Sequence, residues 1–269
     1  MKLWHKTPAQ WSVRRLLFIL TLVQVIAILW LHWGMPLASQ HAFREAETAD
    51  TVYWMLHGGP LIAYQTPVMG APWQIPFEFP TFQWVVAGVV YATGMALDNA
   101  GRLVSVLFLL GSLVPLAGLA ARHDVDKYVL GALFLGAPVY LYWGTGFLIE
   151  TCVLFLCLMF LWMVEEQRWT LALSFAVLSA VTKLPVFLPF AGLAMVLMWR
   201  RWTVLSVGIA LMCGLVWTQY TDHLKAQNPL SAVLVSSQPA QRTHDFGTLR
   251  QRLSPEIPET TWASIKDAL

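Results

Sequence analysis

Apolar residues run in long, almost unbroken stretches along this chain, and polar residues collect between them. A helix that crosses a bilayer needs about 20 mostly apolar residues. Residues 16–35 and 103–121 have that length, and 128–143 and 147–164 form two more helices around Gly144-Thr145-Gly146. The stretch 170–199 carries one charge, Lys183, just before Pro185. It reads as two short helices turning at Lys183-Leu184-Pro185, with one long kinked helix as the alternative. Residues 203–220 close the set. The pattern predicts an all-α polytopic membrane protein with about seven transmembrane helices.

One apolar run, 82–97, is short for a span and ends at Asp98-Asn99. The distribution of Lys and Arg decides its placement, because short cytoplasmic loops are enriched in them. If 82–97 does not cross, nine cations fall inside: Lys2, Lys6, Arg14, Arg15, Arg122, Lys127, Arg168, Arg200 and Arg201. Four fall outside: Arg44, Arg102, Lys183 and Lys225. If it does cross, the asymmetry shrinks to seven against six. The run is therefore expected to be an interfacial or re-entrant helix on the outer face, with the N-terminus cytoplasmic. The expected organisation is a transmembrane domain over 1–220, a large first outer loop with juxtamembrane helices over 36–102, and an outer segment over 221–269.

Composition narrows the class further. Apolar residues make up 57% and charged residues 12% of 269, about half the charge of a soluble domain. That argues against a soluble, disordered or coiled-coil chain. The net charge is +2 and no basic run is present, so no nucleic-acid partner is expected. Cys152, Cys157 and Cys213 each sit inside an apolar run and read as small buried hydrophobes. The first apolar run is followed by bulky Leu31-His32-Trp33 rather than a small-residue cleavage site, and it reads as an uncleaved span.

Candidate chemistry collects on the outer side. Arg44, Glu45, Glu47 and Asp50 lie within seven residues after the first span. On a helix Glu47 shares a face with Arg44 and with Thr51. Pro60, Pro67, Pro72, Pro76 and Pro80 then enforce extended, turning backbone. The loop ends with Glu78 among Phe77, Phe79, Phe82 and Trp84. A lone carboxylate at that depth is costly and calls for a partner, whether a metal, a cation or a sugar hydroxyl. Glu150 and Lys183 mark the outer ends of later spans. Carboxylates beside a cation at the lipid–water boundary suit the binding of a lipid phosphate and the deprotonation of an acceptor hydroxyl.

Arg44-Glu45-Ala46-Glu47-Thr48-Ala49 resembles the Arg-Gln-Ala-Asp-Thr-Ala stretch of bacterial GT-C class membrane glycosyltransferases, relatives of the protein O-mannosyltransferases and the lipid A aminoarabinose transferase. Glu78-Phe79-Pro80, Glu150, Thr182-Lys183-Leu184-Pro185, Lys225 to Asn228-Pro229 and the stretch 246–253 resemble further positions of that family. The resemblance implies a GT-C-like fold in the bacterial inner membrane with a periplasmic active face. It implies transfer of a sugar from a polyprenyl-phosphate carrier to a glycan, lipid or protein acceptor. Glu47 then maps onto the catalytic base, with Arg44, Glu78, Glu150 and Lys183 as substrate-binding residues. A divalent metal ion at Glu78 and Glu47 is left open. Glu47 stands where aspartate is common, one methylene longer. Family members are also usually longer, so the chain reads as the N-terminal part of such an enzyme. The other reading is a non-catalytic or truncated membrane partner in cell-envelope glycan assembly or transport.

Overall fold

The computed structural model describes residues 8–37, 42–68 and 70–238. Among them the protein is helical, with one isolated antiparallel bridge between Gln65 and Gln74. The stretch 246–253 used in the resemblance lies outside the described residues.

Helix α1 spans Pro8–His32, α2 Ala42–Leu56, α3 Thr81–Thr93, α4 Leu97–Gly111 and α5 Leu113–Arg122. They are followed by α6 (Lys127–Gly136), α7 (Pro138–Gly144), α8 (Glu150–Glu165), α9 (Trp169–Leu197) and α10 (Arg201–Ala226). Among the described residues, four stretches are long and apolar enough to cross a membrane: Val13–His32, Leu97–Arg122, Trp169–Leu197 and Arg201–Ala226. Large apolar side chains face outward along α1, among them Leu16, Leu20, Val23 and Trp30. Outward apolar faces of this kind suit a bilayer rather than water.

Polar contacts define the two ends of the bundle. At one end Arg14 pairs with Asp126 at 2.7 Å, and Asp126 caps α6 by accepting from the backbone N–H of Tyr128 and Val129. Arg122 pairs with Glu166 at 2.9 Å at the same end, closing α5 against α8. At the other end Arg102 donates to the His32, Met35 and Pro36 carbonyls. It thus takes up the acceptors left open where α1 finishes. Asn99 accepts from Gly34 N–H there. Thr81 meets Thr182 at this end too, so both ends of α3 lie on one side of the bundle. The run expected over 82–97 does not pass through.

The stretch expected over 128–143 is interrupted. Ala137 is extended (φ −68°, ψ 125°) and Pro138 starts α7. Proline suits a first helical turn but cannot continue one. The stretch 170–199 breaks at Lys183, whose backbone is extended (φ −157°, ψ 86°). Lys183 pairs with Glu150 at the start of α8. The Phe187 ring, four residues later, lies 5.5 Å from that of Phe160, about 15 Å along α8 from Glu150. A straight continuation would carry Phe187 away from Phe160, so the second half of α9 folds back along α8. Ala191 and Ala194 accordingly share a buried cluster with Met163 and Val164. The expected boundary at 220 is not a break. α10 runs on to Ala226, with Thr221 and Lys225 buried.

Candidate functional site

The site forms at the end of the bundle where α2 lies. Ala49 and Val52 dock α2 onto Phe82 and Val86 of α3, Ala100 and Val104 of α4, and Phe147. This is a one-face apolar pattern at helical spacing. The neighbouring face carries Arg44, Glu47 and Thr51. The loop after α2 supplies Glu78, and its path is fixed by Tyr64. The Tyr64 hydroxyl donates to the Glu78 carbonyl and accepts from Phe77 N–H, each at 2.9 Å. Tyr64 is fully buried, and burial pushes its phenol well above the ordinary value. Thr51 and Thr66 share a buried hydrogen bond of 2.9 Å that ties α2 to the same loop.

Arg44 lies between two carboxylates. Its guanidinium donates to Glu78 Oε1 at 3.0 Å and stands 3.6 Å from Glu47 Oε2. Burial works against the cation, yet Glu78, with Glu47 and Glu150 beyond it, outweighs burial and raises its pKa. Burial raises Glu47 above the usual carboxylate value. Arg44 opposes that shift, Glu78 adds to it and Lys183 opposes it. A second ion pair joins Lys183 Nζ to Glu150 Oε1 at 2.7 Å, while Glu150 Oε2 is buried without a partner. The structure thus brings together all five residues singled out from the sequence, as two ion pairs and a carboxylate that sense one another electrostatically.

The metal question resolves on the donor set. No group of three His, Cys, Asp or Glu among the described residues could hold an ion. Arg44 supplies the positive charge between Glu47 and Glu78, so these two carboxylates do not fit a divalent ion.

A cleft bounded by Arg44, Glu47, Thr51, Tyr64, Glu78 and Gln83 encloses about 10 Å³, room for about one water. A larger cavity of about 650 Å³ lies between α1, α4 and α7, with Ile28, His32, Arg102, Leu141 and Leu148 among its lining residues. Glu45 reaches it from α2.

Several buried polar residues near the site were not singled out from the sequence. Glu45 belongs to the acidic cluster that follows the first span, and it is 2% exposed. Its spacing from Ala49 and Val52 is the signal that places it on the buried face. Arg102 and Lys225 count as loop charges in the sequence but are 4% and 5% exposed. Lys225 pairs with Asp222 at 3.0 Å and stands over the Phe77 ring. No local pattern marks Tyr64.

Comparison with family models, with curated proteins and with solved structures finds no match to this chain. What the fold defines is a helical protein with membrane-spanning character.

Proposed function

We propose that this protein is a membrane glycosyltransferase of GT-C-like fold. It would use a sugar carried on polyprenyl phosphate and act at the outer face of the bacterial inner membrane. The observation that carries the reading is Arg44 set between Glu47 and Glu78, with the Lys183–Glu150 pair close enough to influence both Glu47 and Arg44. The seven-span arrangement and the cytoplasmic N-terminus belong to the same proposal. They draw support from the opposite ends at which Arg14–Asp126 and Arg44–Glu78 lie.

In this mechanism Glu47 takes the proton of the acceptor hydroxyl as its oxygen attacks the anomeric carbon. The bond from that carbon to the carrier phosphate breaks, and the electron pair leaves with the phosphate. Arg44 and Lys183 stabilise the departing charge. The products are the glycosylated acceptor and the lipid phosphate, with inversion at the sugar. Glu47 suits the base role because burial raises its affinity for a proton and because its contact to Arg44, at 3.6 Å, is longer than a hydrogen bond. The cleft is narrow and the Glu47 side chain is 12% exposed, so the cleft must widen before an acceptor reaches Glu47.

A transfer assay with a panel of polyprenyl-phosphate sugars tests the reading. Glu47→Gln is expected to lower turnover by about 10²-fold or more, and undiminished turnover overturns the assignment. The closed cleft favours a second reading, a non-catalytic partner in envelope glycan assembly. That reading predicts no transfer by the wild-type protein with any donor.

A further inference from the structure

The large cavity between α1, α4 and α7 holds two charges of opposite sign, and neither has an ionic partner among the described residues. Glu45 is 2% exposed. Its Oε1 accepts from Phe147 N–H at 3.1 Å, and its Oε2 is buried with no hydrogen bond. Arg102 is 4% exposed. Its contacts are to the carbonyl oxygens of His32, Met35 and Pro36, with no carboxylate among them. Both side chains line the same cavity. Burying a charge without a counter-charge costs several kcal/mol. A half-satisfied polar group in an otherwise apolar wall is therefore a place where a ligand gains most.

The cavity also has the shape of a site. At about 650 Å³ it falls within the roughly 300–1,000 Å³ of small-ligand pockets. Ile28, Leu141 and Leu148 give it apolar walls. Met35 and Tyr142 line it and are exposed, so it opens to the surface beside α1, the helix whose outward apolar side chains suit lipid. A matching ligand needs an anion for Arg102, an N–H donor for Glu45 and an apolar tail. We infer that this cavity binds the head of a zwitterionic aminophospholipid, its phosphate toward Arg102 and its primary ammonium toward Glu45. The ammonium must be primary, because a trimethylated head offers no N–H to the Glu45 carboxylate. This site is independent of the sugar-transfer reading. Glu45 and Glu47 are two residues apart on α2, about 200° around the helix, so the cavity lies on the opposite side of α2 from the proposed base.

The experiment is native mass spectrometry of the delipidated protein in detergent with phosphatidylethanolamine, phosphatidylcholine or phosphatidylglycerol, alongside thermal unfolding with each lipid. Phosphatidylethanolamine is expected to bind at least tenfold more tightly than the other two and to raise the unfolding temperature. Glu45→Gln, which still accepts from Phe147 N–H, is expected to erase that preference. Leu141→Trp, which narrows the cavity from its apolar wall and leaves both charges in place, is expected to weaken the binding of phosphatidylethanolamine at least tenfold, and it decides the matter if Glu45→Gln does not fold. Equal retention of the three lipids, an unchanged preference in Glu45→Gln, or unchanged phosphatidylethanolamine binding in Leu141→Trp overturns the inference. The same thermal shift with soluble phosphoethanolamine alone overturns the assignment to a lipid.

Discussion

Arg44 donates to Glu78 at 3.0 Å across 34 positions of sequence, joining α2 to the far end of the proline-rich loop. The Glu78 side chain is 17% exposed, so it depends on this cation rather than on water. Arg44→Gln removes the charge and leaves the carboxylate under-satisfied. The expected cost is about 1–3 kcal/mol, reduced from the fully buried case because Arg44 itself is 38% exposed. Thermal unfolding measures it. Arg44→Lys should recover part of the stability but less of the activity, because an ammonium cannot hold Glu78 and face Glu47 in the same fork geometry.

Glu47 gives a pH signature. Burial raises its pKa above the ordinary 4.5, so the folded state holds this proton more firmly than the unfolded state does. The sign follows from linkage. The contribution of Glu47 to stability is fully present below the unfolded value and is lost as pH rises through the raised folded value. Glu47→Gln has no such titration. Its unfolding temperature relative to wild type should climb as pH rises from about 4.5 through that window, then level off towards neutrality. Transfer activity should move oppositely in wild type, appearing as pH rises through the same window because the base must be unprotonated. A pH series of unfolding curves that runs parallel for the two proteins would refute the raised value.

The Lys183–Glu150 pair separates structure from chemistry. Its side chains are 23% and 24% exposed, buried enough that breaking it strands a charge. Lys183→Met alone and Glu150→Gln alone should each destabilise the protein. The double variant should be more stable than the sum of the single effects implies, with a coupling of about 0.5–3 kcal/mol. If Lys183 acts only in folding, the double variant regains activity with stability. The proposed mechanism expects it to regain stability alone, since the cation facing the leaving phosphate is still missing.

How much was legible beforehand depended on what kind of information each residue carries. Glu47, Glu78, Glu150 and Lys183 could be brought to one end because each follows a turn between apolar runs, and turns alternate between ends. The interruption near Lys183 was legible because Pro185 kinks or breaks a helix at the turn before it. The pairing was not legible. Nothing local says that Arg44 takes Glu78 and Lys183 takes Glu150, since these contacts depend on how α2 and the loop settle against α8 and α9. Burial of charge was hidden for the same reason. Arg102 and Lys225 look like loop cations until the end of α1 and the Phe77 ring are seen to cover them. The interruption at Ala137-Pro138 was missed because an apolar run spans it without a polar residue.

Gly101 is the tightest approach behind the site. A Cβ there would overlap the Phe147 ring, which is fully buried and cannot swing away. Gly101→Ala should therefore destabilise the protein by about 1–3 kcal/mol, as overpacked cores do. Gly88 in α3 supplies the contrast, because a Cβ there meets nothing within 4 Å. Gly88→Ala should stabilise by about 0.5–1 kcal/mol through helix propensity. Equal unfolding temperatures for the two variants would contradict the position assigned to Phe147.

Tyr64 is expected to position Glu78 without touching a substrate. Tyr64→Phe keeps the ring and removes a hydroxyl that serves two backbone groups at once, the Glu78 carbonyl and the Phe77 N–H. Leaving both unpaired in a buried place costs about 1–3 kcal/mol. The loop gives way more easily than α2, which is docked through Ala49 and Val52. Glu78 should therefore shift while Glu47 stays in place. Because Glu78 holds Arg44, the loss should appear mainly in KM for the phosphate-bearing donor, with kcat little changed. A variant that loses kcat with KM unchanged would instead place Tyr64 in the chemical step, where this geometry gives it no role.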